Sequence, residues 1–226
     1  MFPDNLVSNT MKKANGTAHA TAPARGRPRS FDRDAALERA MQVFWRQGYE
    51  ATSVSDLTRA MGINPPSLYA AFGDKQQLYL AALERYEQER RESVLRILEE
   101  APSARQAIER LLEEAASEMA SGECRGCMLV LSTGQCADPR LQPALAERRA
   151  APKRALKARF DRGLREGELA RATDTSALAD FYTTVFQGMT IQARDGASRK
   201  SLLATAAAAM RAWPERKRLA RRAASA

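Results

Sequence analysis

Apolar residues recur along this chain at every third or fourth position, in blocks separated by Gly, Pro and short polar clusters, and no segment alternates like a half-buried strand. The first block, Asp32 to about Gln47, sets Ala36, Leu37, Ala40, Met41 and Phe44 on one face, with Phe31 ahead of it as a staple residue and Gly48 behind it as a stop. Asp74, followed three residues later by Gln77, opens a long helix to about Ala101 that carries Leu78, Ala82, Tyr86, Val94, Leu95 and Leu98. Further helices are predicted at Ser103 to Ala120, Cys127 to about Cys136, Pro139 to Glu166, Thr175 to Arg194 and Ser198 to Ala212. Pro102-Ser103, Asp138-Pro139 as cap and N1, Gly167, Thr173-Asp174 and Gly196 mark their ends. With no internal repeat, the pattern predicts an all-α protein.

Between the first and the long helix, residues 52 to 79 spell a helix, a tight turn and a second short helix. Ser53 is placed to cap, and Asp56 three positions on completes a capping box. Val54, Leu57, Thr58 and Met61 share one face, Gly62 supplies the left-handed residue that ends the helix, and Ile63 adds the apolar contact of the turn. Asn64 caps again at once and Pro65 takes N1, where a missing N–H costs nothing. In the helix from Pro65 to about Phe72, Leu68 and Phe72 face inward and leave Pro66, Ser67, Tyr69 and Ala70 outside. A helix-turn-helix of this kind enters the major groove by the N-terminal end of its second helix.

Residues 27 to 86 resemble the DNA-binding domain of the TetR family of transcriptional repressors, on Thr52-Ser53-Val54, Met61-Gly62-Ile63, Ser67-Leu68-Tyr69, Phe72 and Asp74-Lys75. Ala71 stands where that family often has His or Tyr, and Pro65-Pro66 stiffens the start of the reading helix. The resemblance implies a three-helix reading domain over residues 30–74 and a helical effector-binding and dimerisation domain over 75–212. They are flanked by a basic arm at 1–29 and a basic tail at 213–226. It also implies a homodimer on a palindromic operator in double-stranded DNA and a small-molecule effector. A dimer follows from the reading helix as well, since one short helix covers too few base pairs. Leu178, Phe181, Tyr182, Val185 and Met189, opposite Leu202, Leu203, Ala206 and Met210, resemble the family's dimerisation pair.

Charge alters where the attraction for DNA must come from. Residues 1–29 hold Lys12, Lys13, Arg25, Arg27 and Arg29 against Asp4, a net of +4, and residues 211–226 hold six Arg or Lys against Glu215, a net of +5. Together they equal the whole chain's +9, so residues 30–210 are formally neutral and local donors must place the helix on phosphate. Arg27 and Arg29, in Arg25-Gly26-Arg27-Pro28-Arg29, suit an A·T minor groove, and a solvated tail accounts for them equally well. The C-terminal cations read as a solvating tail. Ser67 and Tyr69 rank first as DNA contacts, Tyr69 matching the family's contacting Tyr. Thr52 and Ser53 form a phosphate site at a helix start, and Pro65, Pro66 and Ala70 suit thymine methyl groups. Capping alone accounts for Ser53 and Asn64 as well as a DNA contact does. Lys75 sits in a first turn, where the helix dipole disfavours a cation, and a nearby phosphate would explain it. Arg46 and Arg59 read as solvated charges.

For the effector, Met119, Met128, Leu131, Phe160, Leu164, Phe181, Tyr182 and Phe186 are the candidate lining, although Met and aromatic residues at helical spacing also build ordinary cores. Cys124, Cys127 and Cys136 are candidate redox thiols. The only His, His19, lies in the N-terminal arm, and neither a metal site nor a cofactor is expected. A thiol oxidoreductase would need a nearby His and a βαβ pattern, and the sequence has neither. A sequence-neutral architectural DNA binder, or a thiol-sensing regulator of the same fold, remains as the alternative. No run reaches the ~20 apolar residues of a membrane span and no signal-peptide core is present, so a cytoplasmic protein is expected.

Overall fold

A computed structural model describes residues 31–122 and 125–214. Among them are nine helices and no strand: α1 (Arg33–Gln47), α2 (Val54–Met61), α3 (Pro65–Phe72), α4 (Lys75–Glu100), α5 (Ala104–Met119), α6 (Met128–Gln135), α7 (Gln142–Arg165), α8 (Thr175–Arg194) and α9 (Arg199–Met210). The expected arm, with Arg27 and Arg29, the expected tail beyond Pro214, and Cys124 lie outside the described residues. Trp213, expected to open the tail, is instead buried against Phe160 and Tyr182, because a Trp gains more from packing there than from solvation.

Helix starts follow the side-chain caps. Asp32 accepts from Asp34 N and Ala35 N, Ser103 from Gln106 N, Asp174 from Ser176 N and Ala177 N, and Ser198 from Ser201 N. One start departs from expectation. The helix expected from Pro139 begins instead at Gln142, because Asp138 spends its carboxylate on Arg140 N (3.0 Å), the Arg140 guanidinium and Gln76 Nε2 (2.6 Å). Those bonds hold the Asp138 carboxyl far below the usual carboxylate range, the Arg140 contacts foremost, and make a turn of residues 138–141 rather than a first helical turn.

The long helix α4 is the spine on which the rest assembles. Its Leu78, Tyr79, Ala82, Leu83 and Tyr86 are buried, and Phe44 of α1 meets Tyr79 edge to face at 4.9 Å while Trp45 meets Tyr86 at 4.9 Å. Further along, α5, α7, α8 and α9 pack around Ile108, Leu112, Phe160, Tyr182, Met189 and Leu202. Phe160, Tyr182 and Trp213 form an aromatic cluster with centroids 5.8–6.2 Å apart, and burial pushes the Tyr182 phenol up to about 12. Polar straps complete the assembly. Arg162 donates to the carbonyls of Leu98 (3.0 Å) and Glu99 (3.3 Å) at the end of α4, and Glu168 accepts from Ala104 N at the start of α5 and from the buried Arg159 (3.1 Å).

Candidate nucleic-acid interface

The local folding of α2 and α3 follows from their ends. In the capping box of α2, Ser53 Oγ accepts from Asp56 N (3.1 Å) while Asp56 accepts from Ser53 N (3.0 Å). Gly62 ends the helix at φ +69, and Ile63 N closes back on the Thr58 carbonyl at 3.1 Å, so the chain reverses in two residues. Asn64 Oδ1 then accepts from Ser67 N at 2.8 Å and α3 begins with prolines in its first turn. Replacing Asn64 by Ala is expected to cost about 1 kcal/mol, a fall of about 2–4 °C in melting temperature, whereas Asn64→Ser keeps the cap. Thermal melts of the two variants check this, and equal melting of Asn64→Ala and the parent would dismiss the cap as a stabiliser.

Leu57, Leu68 and Leu78 have no exposed surface, and Phe72 is buried between Phe31 and the Arg33 guanidinium, which lies 4.6 Å from its ring centroid. This anchoring fixes which face of α3 is outside. Pro65, Pro66, Tyr69 and Ala70 are exposed, Tyr69 to 51%, and Ser67 is half-buried beside them. The outside thus presents one phenol, one hydroxyl and three small apolar groups, and no free backbone N–H joins them, since Pro65 and Pro66 have none and Ser67 N is held by Asn64.

Two expected contacts fall elsewhere. Thr52 is 1% exposed, and its hydroxyl donates to the Gly48 carbonyl at 2.6 Å, so its side chain closes the loop after α1 instead of facing out. Lys75 in the first turn of α4 holds its ammonium 4.3 Å from the centroid of the Tyr49 ring. That aromatic face supplies an internal reason for a cation there, without a phosphate. Tyr49 is itself buried, which raises its phenol above the ordinary value.

Two residues that sequence reasoning passed over hold the unit together. Arg39 donates from α1 to the Met61 carbonyl (3.1 Å), and Arg33 to the Ala71 carbonyl (3.5 Å), so the open C-terminal ends of α2 and α3 are both met by α1 cations. Nothing local to Arg33 or Arg39 signals this. The bond needs the packed third helix.

In the remaining helices, Met119, Met128, Leu131, Phe160 and Tyr182 are buried, and Leu164 and Phe186 are partly buried against the same core. Phe181 differs at 40% exposed, and it lines a hollow of about 490 Å³ with Leu178, Ala212 and Pro214. On α8 the outward apolar residues are Phe181 and Ile191, while Tyr182 and Met189 are spent inside their own chain. Cys127 and Cys136 flank α6 and are buried, and burial foremost raises the Cys136 thiol, which lowers its thiolate fraction. Among the described residues no three His, Cys, Asp or Glu side chains are grouped to hold a metal ion, and no helix is long and apolar enough to cross a membrane.

Comparison with known proteins places this geometry. Residues 36–82, from α1 into α4, match the family described as bacterial regulatory proteins, tetR family. The chain is 34% identical over 206 residues to the HTH-type transcriptional repressor ComR of Escherichia coli K12, covering 89% of this chain and 98% of ComR. It is 34% identical over 187 residues to the repressor BdcR of the same organism, covering 81% and 90%. Among solved structures it is similar to a cysteine mutant of the TetR family transcriptional regulator CifR complexed with 26-bp double-strand operator DNA. That likeness has a TM-score of 0.79 and 44% identity, over 84% of this chain and all of that one. The chain belongs to the TetR family of bacterial transcriptional regulators.

Proposed function

We propose that this protein is a transcriptional repressor that reads a palindromic operator as a homodimer in the cytoplasm and releases it when a small molecule enters the helical body. The observation that carries the reading is the outward face of α3. Tyr69, Ser67, Pro65, Pro66 and Ala70 are set on a helix that Leu68 and Phe72 fix from beneath, the arrangement a major-groove reader needs. Tyr69 and Ser67 would bond phosphate or base edges, the small apolar groups would meet thymine methyls, and the α2 start at Ser53 would take a phosphate. Asn64 serves as the cap of α3 and, exposed at its start, would add a polar contact to the DNA there. Arg27 and Arg29 would add minor-groove attraction, and Lys75 would act chiefly through Tyr49.

Organisation follows the same reading: an arm over 1–29, a reading domain over 30–74, an effector and dimerisation domain over 75–214, to which the buried Trp213 belongs, and a tail over 215–226. Similarity to ComR and BdcR, both repressors, supports the direction of control, and similarity to CifR on its operator supports the mode of binding. An effector acts by preferring the form in which the two reading helices no longer match the operator, and its affinity difference between the two forms sets the extent of release.

Selection of bound duplexes from a random pool tests the proposal. Two inverted half-sites shared by the recovered duplexes are expected. Recovery without a common palindrome, together with equal affinity for arbitrary duplexes, would instead indicate a sequence-neutral binder and refute this function.

A further inference from the structure

The loop between α1 and α2 is gripped from two helices that lie far away in sequence. Glu50 N donates to the Gln135 carbonyl at 3.3 Å, and Ala137 N donates to Glu50 Oε1 at 2.8 Å, so the last turn of α6 and the loop share a two-way pair of bonds. Gly48, at φ +81, lets the chains come this close: a Cβ there would stand 2.7 Å from Gln135 Cβ. One residue further on, Asp138 accepts from Gln76 Nε2 at 2.6 Å in the first turn of α4, with Arg140 locking the carboxylate in place. From α8, Arg194 donates to the Arg46 carbonyl in the last turn of α1. Glu50 is exposed, and Asp138 and Arg194 are half-buried. None of the three belongs to the apolar core.

We propose that Glu50, with Asp138 and Arg194, is a positioning residue that fixes the angle of the reading helix on the body and thereby selects the spacing between operator half-sites. The inference rests on the operator-binding function proposed above. The α1–α2 loop leads directly into α2 and, through the tight turn at Gly62, into α3, so a grip on the loop is a grip on the reader. One side of the grip comes from α8, the helix whose outward Phe181 and Ile191 suit a second copy. The geometry of the pair is thus carried into each reading domain by a side chain of the same helix. Each added base pair moves a half-site by about 3.4 Å and turns it by about 35°. A gripped reader cannot follow such a change, whereas a reader held only by apolar packing has more freedom to pivot.

The experiment uses the full-length protein and the palindrome recovered by selection, with one base pair inserted at or removed from its centre. Dissociation constants for parent, E50A, E50Q and R194A are measured on all three duplexes by fluorescence anisotropy, beside their melting temperatures. Losing one hydrogen bond per reader, about fivefold each, is expected to shrink E50A's preference for the native spacing by about 25-fold over the two readers. E50Q keeps an oxygen for Ala137 N and is expected to retain the parent's preference. R194A removes the second grip from another helix, is expected to act like E50A, and serves as the readout should E50A not fold. An E50A preference equal to the parent's, or an equal loss at every spacing, would overturn the inference. Failure to recover any palindrome would strike at the proposed function itself.

Discussion

Phe160→Ala is expected to lower the free energy of unfolding by about 4 kcal/mol. The side chain is fully buried on α7 and faces Tyr182 of α8 at 6.2 Å and Trp213, just beyond α9, at 5.8 Å. Truncation removes the ring's transfer energy and leaves a void between elements that are also strapped by Arg162 and Glu168, so the walls have little freedom to collapse into it. Phe181→Ala is the matched control. Its ring also meets an aromatic neighbour, Tyr182 at 5.0 Å, but it is 40% exposed, and a loss below about 1 kcal/mol is expected within the single chain. Urea unfolding of the two variants over a range of protein concentrations separates chain stability from association, since a dimer contact at Phe181 makes its apparent loss concentration-dependent. Equal losses for the two would contradict the packing described.

The two positions look alike in sequence, because each is a Phe on a helix at core-like spacing, and periodicity does not separate a buried ring from a half-exposed one. What it did carry is local. Asp32, Ser53, Asn64, Asp74, Ser103, Asp174 and Ser198 all cap the helices that they were expected to start, since a cap depends on backbone N–H groups two or three residues away. The helix-turn-helix was legible for the same reason. Asp138 fails as a cap because Arg140, two residues on, takes its carboxylate in a turn that Gln76, 62 residues upstream, also holds, a pairing that the cap rule does not weigh. Thr52 turned inward to Gly48, and Lys75 found Tyr49, through loop closure and packing that no spacing rule encodes. The candidate effector residues share helical periodicity, which cannot tell a core from a cavity wall. Five of the eight are buried in packed core and one, Phe181, borders a hollow. The formal neutrality of residues 30–210 has the opposite standing: it is a property of sequence that no fold can change, and it constrains how the exposed face of α3 works.

That constraint makes Tyr69→Ala the variant with the largest expected functional effect, an operator affinity about a hundredfold weaker at an almost unchanged melting temperature. Stability is expected to move by no more than about 0.5 kcal/mol, since the side chain is 51% exposed. Affinity moves far more, because a hydrogen bond to a charged phosphate is worth about 1.5 kcal/mol and a homodimer loses it twice, about 3 kcal/mol in all. Tyr69→Phe divides the effect: a loss close to that of Ala assigns it to the hydroxyl, and retention assigns it to the ring against a base. The neighbouring Leu68→Ala gives the contrasting pattern. It opens a fully buried site, is expected to cost about 3 kcal/mol of stability, and weakens binding only by loosening the helix that carries Tyr69. Salt dependence separates Tyr69 from the arm. Deleting residues 1–29 removes five cations and is expected to lower affinity for every duplex alike, with a shallower dependence on salt. Tyr69→Ala removes no cation and is expected to leave the salt dependence at the parent's slope. Operator binding within about threefold of the parent for Tyr69→Ala, beside a collapse on deleting the arm, would mean that recognition lies in the arm's charge and not in α3.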